Sequence, residues 1–276
     1  MRVLVTNDDG IDAPGMRALA LATRRWGADV VVAAPAKEAS GSSASISAVE
    51  EGGRVMVEER ELPGLEGVKA YAVAGSPSFI AILGARRAFG DAPEVVLSGV
   101  NRGANAGQAV LHSGTVGAAL TAAEVGCRAI AVSLDVLTLD AASATTGGAA
   151  IAELVANESS RHWETAAGLA VALLDQLTGL PPETVLNLNV PDLPSDQLRG
   201  LRRASLARFG QVQMTVAEMG RGYVRMALAA GEGNEPGADV VLLGQRYATL
   251  TPIRGVSEAT GIEVDLDAAL PGRPSG

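Results

Sequence analysis

The alternation of strand and helix patterns between Arg2 and Ala34 constrains this chain more than any other feature. Val3-Leu4-Val5-Thr6 is a short apolar, β-branched run that stops at Asn7-Asp8-Asp9-Gly10, so it reads as a buried strand ending in a turn. Pro14 to Trp26 places Met16, Leu19, Ala20 and Thr23 on one face and Arg17, Arg24 and Arg25 between them. With Pro14 at its start and Gly27 after its end, that stretch is an amphipathic helix. Asp29 to Ala34 is a continuous apolar run closed by Pro35. Strand, helix and strand at this spacing form a βαβ unit with parallel strands and a right-handed crossover. On such a sheet ligands bind beyond the carboxyl ends of the strands, and that is where Asp8 and Asp9 stand. Adjacent carboxylates repel each other unless a cation sits between them, and a hard divalent cation takes oxygen ligands of this kind. Taken alone, an Asp-Asp-Gly turn reads better as a solvated loop, and it is the position directly after the first strand that favours a site.

The pattern repeats along the chain. Val55 to Val57 and Val68 to Val73 read as strands, and Gly75-Ser76-Pro77 opens a helix with Phe79, Ile80, Ile82 and Leu83 on its apolar face. Pro93 to Ser98 is a strand, followed by a glycine- and amide-rich loop from Gly99 to Gly107. His112-Ser113-Gly114-Thr115-Val116 then leads into a small-residue helix from Gly117 to Val125. Cys127 to Leu134 is a strand, Trp163 to Leu177 a helix, and Thr184 to Val190 the last core strand. Beyond it, Leu201 to Ala207, Gln211 to Ala217, Tyr223 to Ala229 and Arg246 to Thr251 alternate as strands between Gly-rich turns. The expected class is α/β: a Rossmann-like, doubly wound, mostly parallel sheet with a C-terminal antiparallel β extension. Residues 1–194 form the core and 195–276 the extension, which pairs subunits into a homodimer or homotetramer because a small sheet is not stable alone. The Ala/Ser/Thr/Gly-rich stretch from Thr138 to Glu158 reads as an insertion, either a lid or a disordered loop.

Composition narrows the functional classes. A net charge of −9 over 276 residues argues against binding a nucleic-acid duplex, which needs a basic face. The single cysteine, Cys127, excludes an internal disulfide and reads as a buried thiol. Met1 leads straight into a strand, and no stretch reaches the roughly 20 apolar residues of a membrane helix, so the expectation is a cytoplasmic protein with no membrane partner. No Gly-Lys-Ser or Gly-Lys-Thr is present, which removes a Walker-type NTPase, and no Gly-x-Ser-x-Gly elbow is present for a serine hydrolase. A phosphoacceptor receiver needs a lysine on a late core strand, whereas the only lysines, Lys37 and Lys69, are early.

Pooling the loops on one sheet edge gathers Asp8, Asp9, Ser40 and Asn101, all oxygen donors that suit an octahedral cation keeping some waters. Beside them, Ser113-Gly114-Thr115 at a helix start offers hydroxyls and free N–H groups to an anion, and Gly114 lets it approach the backbone. A metal next to a phosphate cradle implies phosphoryl chemistry by metal-activated water. Asp8 or Asp9 serves as base or nucleophile, which residue types alone do not separate. His112 is read as pocket wall, His162 as structural, Arg102 as steering the substrate or covering the loop, and Asn187 and Asn189 as satisfying backbone groups.

The stretches Val3-Leu4-Val5-Thr6-Asn7-Asp8-Asp9-Gly10, Ser40-Gly41, Leu97 through Asn105, His112 through Ala119, His162 through Ala167, Asn187 through Pro191 and Leu250-Thr251-Pro252 occur in that order almost end to end. In them the chain resembles the SurE family of stationary-phase survival proteins. The resemblance implies hydrolysis of nucleoside 5′- or 3′-monophosphates with one divalent cation per subunit, magnesium or manganese. It carries the metal ligands onto Asp8, Asp9, Ser40 and Asn101, the phosphate-binding hydroxyls onto Ser113 and Thr115, and a pocket-wall role onto Asn105. A chain of this fold that had lost turnover would be a nucleotide-sensing module. Two departures stand out: Phe79 and Ile80 replace an acid and a cysteine common in the family, and the Thr138 to Glu158 segment is long.

Overall fold

The computed structural model describes residues 1–136, 160–181, 183–208, 212–220, 223–230, 235–258 and 261. The expected lid or loop over Thr138 to Glu158 lies outside them. Strand β1 (Arg2–Thr6) leads through helix α1 (Pro14–Trp26) to β2 (Asp29–Pro35), as the βαβ pattern requires. Helix α1 begins at Pro14, and the left-handed Gly27 closes it by donating its N–H to the Arg24 and Thr23 carbonyls. A small hairpin of β3 (Glu50–Glu51) and β4 (Arg54–Val55) precedes β5 (Val57–Arg60) and β6 (Lys69–Val73). Val55 to Val57 is therefore not one strand: Val55 pairs back onto Glu50 and Val57 pairs with Val73.

Helix α2 (Pro77–Ala85) is capped by Ser76, and its buried face is Ile80, Ala81 and Gly84; Phe79, Ile82 and Leu83 are only half-buried. Gly84 sets this face, because a Cβ there would stand 2.6 Å from Leu4 on β1. Strand β7 runs from Val95 to Arg102, longer than its apolar run, because pairing resumes at Asn101 opposite Ser133 after a register shift beyond Ser98. A 3₁₀ stretch (Gly107–His112) then enters helix α3 (Gly114–Glu124). The helix starts at Gly114 rather than Gly117 because the Ser113 hydroxyl accepts the Val116 N–H and caps it there. Strand β8 (Arg128–Asp135), helix α4 (Trp163–Ala172) and β9 (Val185–Pro191) follow, and a 3₁₀ stretch (Leu174–Gly179) replaces the last turn expected of α4.

Of the C-terminal segments, β10 (Leu201–Arg203) is shorter than its pattern. β11 (Val212–Gly220) and β12 (Tyr223–Ala230) form an antiparallel hairpin, and helix α5 (Asp239–Gly244) precedes β13 (Ala248–Ile253). Strand β9 is not the last of the main sheet, whose order is β10-β13-β9-β8-β7-β1-β2-β6-β5. Six neighbouring strands from β9 to β6 are parallel, while β13 joins β9 and β5 joins β6 in antiparallel sense. Among the described residues β11 and β12 pair with each other and with no strand of this sheet.

The sheet separates two apolar layers. Val3, Val5, Met16, Leu19, Trp163 and Ala166 belong to the layer under α1 and α4. Leu4, Ile80, Val96, Val116 and Ala119 belong to the layer under α2 and α3, with Cys127 buried at its margin. Alternation of Val3, Leu4 and Val5 between the layers is the period of a strand covered on both faces. The chain winds from β1 outward to β6, then returns to β7 on the other side of β1. That reversal opens a crevice at the carboxyl ends of β1 and β7, where such sheets hold ligands. No helix among the described residues is long and apolar enough to cross a membrane.

Candidate active site

The turn after β1 is tied from within. The Asn7 side chain accepts the Gly10 N–H at 3.2 Å and donates to the Gly10 carbonyl at 2.9 Å, which folds Asp8 and Asp9 over the strand end. The Ala39 N–H donates to the Asp8 carbonyl at 2.7 Å, so the loop after β2 is clasped to the same turn. Asp8 is buried, and the Thr115 hydroxyl on the first turn of α3 donates to its Oδ1. Asp9 Oδ2 accepts the Arg102 backbone N–H at 3.2 Å, which joins the ends of β1 and β7.

Both carboxyls are held above the ordinary carboxylate range. Burial raises Asp8, against the opposing hydrogen bond from Thr115. Burial and then the charge of Asp8 push Asp9 up to about 6, against the Arg102 N–H and guanidinium. Ionised together, the pair is under electrostatic strain that a divalent cation relieves, and the oxygen donors fit a hard cation. Among the described residues no group of three or more His, Cys, Asp and Glu side chains could hold a metal. A cation here would accordingly rest on the two aspartates, neutral oxygens and water.

The neutral oxygens are near but engaged elsewhere. Ser40 is exposed and donates to Glu38 at 2.7 Å, and the Asn101 amide donates to the Gly103 carbonyl at 2.7 Å. Ser113 caps α3 with its oxygen, which leaves its proton available to an anion, whereas the Thr115 proton is committed to Asp8. Gly114 presses against both sides of the site: a Cβ there would stand 2.6 Å from the Ser42 hydroxyl and 2.7 Å from Asp8 Oδ2. Gly117 is equally tight, since a Cβ would run into the Ser43 carbonyl. The serine loop thus lies across the first turn of α3, anchored by the Ser43 hydroxyl donating to the Leu111 carbonyl at 2.6 Å.

Ser42 is the residue that the motif reading passed over. Its hydroxyl oxygen is buried, faces the Asp8–Gly114 contact and has no hydrogen-bond partner among the described residues. Four serines share this loop, and which of them turns inward depends on the path of the backbone rather than on residue type. Asn105 lies one step back, in the scaffold. Its N–H donates to Asn189 Oδ1 at 2.8 Å, its carbonyl accepts from Asn187 and Asn189, and its amide donates to Ser133. Asn187 and Asn189 therefore satisfy backbone groups, as expected.

His112 is exposed at the end of its 3₁₀ stretch, and His162 is paired through Nδ1 with Asp192 at 2.9 Å, a structural contact. Arg102 reaches toward Glu38 at 3.9 Å. On the α1 side of Asp9 opens a cleft of about 310 Å³, walled by Gly10, Ile11, Glu38, Arg102 and the buried Trp163. That is the size of a small-molecule site.

A profile of the survival protein SurE family matches residues 3–215. The chain is 35% identical over 261 residues to a 5′-nucleotidase SurE of Methylocella silvestris, covering 92% of this chain and 93% of that one. It is 33% identical over 282 residues to a 5′-nucleotidase SurE of Methylococcus capsulatus, covering 99% of each. With a 5′/3′-nucleotidase SurE of Shigella dysenteriae it shares 33% over 260 residues, 92% of this chain and 90% of that one. Among solved structures, the SurE protein from Aquifex aeolicus superposes with a TM-score of 0.68 at 26% identity, covering 92% of this chain and 93% of that one. An acid pair after β1, a serine loop after β2 and a Ser-Gly-Thr helix start meet on one edge of the sheet, and by the profile match and these identities over nearly its whole length the chain belongs to the SurE family.

Proposed function

We propose that this chain is a divalent-metal-dependent nucleotidase that releases phosphate from nucleoside 5′- or 3′-monophosphates. The observation that carries the reading is the adjacency of the acid pair, buried Asp8 and half-buried Asp9, to the N-terminus of α3. One attracts a cation and the other an anion, and Thr115 joins them through its hydroxyl. The nucleotidase names of the relatives favour nucleotides over other phosphate esters.

In this reading Asp8 and Asp9 hold one magnesium or manganese ion per subunit, with Ser40 and Asn101 turning from their present partners to complete the set. When bound, such an ion polarises the phosphate ester and makes water more acidic. The backbone N–H groups of the first turn of α3 and the Ser113 hydroxyl receive the phosphate oxygens. Thr115 fixes the Asp8 carboxylate, and Arg102 steers the anionic substrate from the cleft beside Asp9. Asp9, raised to about 6, exchanges a proton near neutral pH in the metal-free protein. The β11–β12 hairpin, paired only with itself among the described strands, supports pairing of subunits into a homodimer or homotetramer. A single unpaired cysteine suits a reducing compartment, which supports the cytoplasm. The net charge of −9 argues against a nucleic-acid duplex as partner.

The test is an initial-rate screen of 5′- and 3′-nucleoside monophosphates with magnesium, manganese or EDTA, on wild type and Asp9→Asn. Metal-dependent phosphate release that EDTA abolishes and Asp9→Asn lacks is the expected result. Activity of Asp9→Asn equal to wild type overturns the metal assignment. Nucleotide binding by calorimetry with no release under any metal replaces the enzyme with a nucleotide-sensing module.

A further inference from the structure

Asp239 opens α5, far from the catalytic edge in sequence, and is wholly buried. Its hydrogen-bond partners are backbone N–H groups from three places in the chain. Oδ1 accepts from Ala207 at 3.0 Å and from Val240 at 2.8 Å, and Oδ2 accepts from Gly107 at 2.7 Å. Carboxylate acceptors make short, strong bonds to such donors, and an enclosed carboxylate needs all of them. The Gln108 N–H adds a bond to the Ala207 carbonyl at 3.1 Å, so Gly107 and Gln108 are both clasped by the C-terminal segments.

Gly107 begins the 3₁₀ stretch that runs to His112 and is followed directly by Ser113, the cap of α3. On the other side of the buried Ala106, Asn105 is held by Asn187 and Asn189 of β9. The loop into the phosphate cradle is thus fixed twice, by two amides of the sheet before Ala106 and by one carboxylate of the C-terminal segment after it. We infer that Asp239 is a positioning residue for the phosphate cradle, through which the C-terminal segment sets the place of Ser113 and Gly114. This rests on the nucleotidase reading.

Asp239→Asn separates positioning from mere support of the fold. The amide keeps one oxygen, which retains most bonds when it faces Ala207 and Val240, and its NH₂ then meets the Gly107 N–H donor against donor. The expected result is about a tenfold rise in KM for a nucleoside monophosphate and in the inhibition constant of inorganic phosphate. Manganese affinity stays within twofold, because Asp8 and Asp9 are held by other contacts. A fall in melting temperature with KM and phosphate inhibition unchanged makes Asp239 structural only and overturns the inference.

Should the variant not fold, hydrogen exchange on the manganese-loaded wild type decides. Inorganic phosphate should slow exchange in peptides spanning 105–113 and 237–244 together. Protection of 105–113 that spares 237–244 overturns the coupling, whereas protection that spares 105–113 strikes the phosphate site of the nucleotidase reading. Failure of wild type to hydrolyse any nucleotide would instead strike the function itself, and the exchange measurement reads the clasp independently.

Discussion

Gly114→Ala tests how tightly the acid pair and the phosphate cradle are built against each other. The new methyl carbon would stand 2.6 Å from the Ser42 hydroxyl, 2.7 Å from Asp8 Oδ2 and 2.9 Å from Asp8 Cβ. The hydroxyl can rotate away. Asp8 Cβ cannot, because it hangs from a backbone whose carbonyl is held by the Ala39 N–H at 2.7 Å, and its carboxylate is held by Thr115. Restoring ordinary carbon contact moves Asp8 by roughly half an ångström. Overpacking of this kind costs about 1–3 kcal/mol, and the gain of alanine over glycine in a helix returns at most about 1 kcal/mol. The net cost of about 0–3 kcal/mol corresponds to a fall in melting temperature of up to roughly 12 °C, from about 2–4 °C per kcal/mol in a chain of this size.

Activity should fall much further. Misplacing a reacting group by about 1 Å costs roughly a hundredfold, so kcat/KM should drop by about one to two orders of magnitude at 25 °C, where the variant is still folded. The assay is phosphate release from a nucleoside monophosphate with manganese, alongside thermal melts. Gly168→Ala is the control. Gly168 is exposed in the middle of α4 with nothing within 4 Å of its would-be Cβ, so the same substitution should stabilise by about 0.5–1 kcal/mol and leave kinetics unchanged. A Gly114→Ala enzyme with kcat/KM within threefold of wild type refutes the reasoning.

Two further outcomes follow from the same geometry. The folded, metal-free chain holds the Asp9 proton up to about 6, whereas an unfolded chain loses it near 3.8. Stability from this group is therefore full below about pH 4 and lost as pH rises through 6, a penalty of about 3 kcal/mol at pH 7. In EDTA, Asp9→Asn should melt above wild type at pH 7.5 and level with it at pH 4, and a variant less stable than wild type at pH 7.5 contradicts the burial argument. Trp163→Ala removes a buried ring that packs 3.0 Å from the Cβ position of Gly15 on α1 and walls the cleft beside Asp9. Denaturant melts should show a loss of about 3–5 kcal/mol, and a loss under 1 kcal/mol would mean that the α1–α4 contact is not the support described.

Local pattern alone was enough for the βαβ start, the parallel core and the place of Asp8 and Asp9, because β-branched runs, Pro14 and Gly27 act over a few residues. The Ser113 cap was legible as a motif, although its hydroxyl geometry, which starts α3 three residues earlier than apolar periodicity implied, was not. Tertiary structure decided what depends on partners distant in the chain. Strand β7 extends to Arg102 because Ser133 and Leu134 on β8 offer it partners past the register shift, and β13 enters the main sheet because β9 presents a free edge. Ser42 rather than Ser40 brings its hydroxyl against Gly114, a choice made by the path of a loop pressed onto α3. Asp239 holds Gly107 across 132 residues of sequence. Residue type can specify a strand or a cap, but a hydrogen bond over that separation exists only once the chain has closed around it.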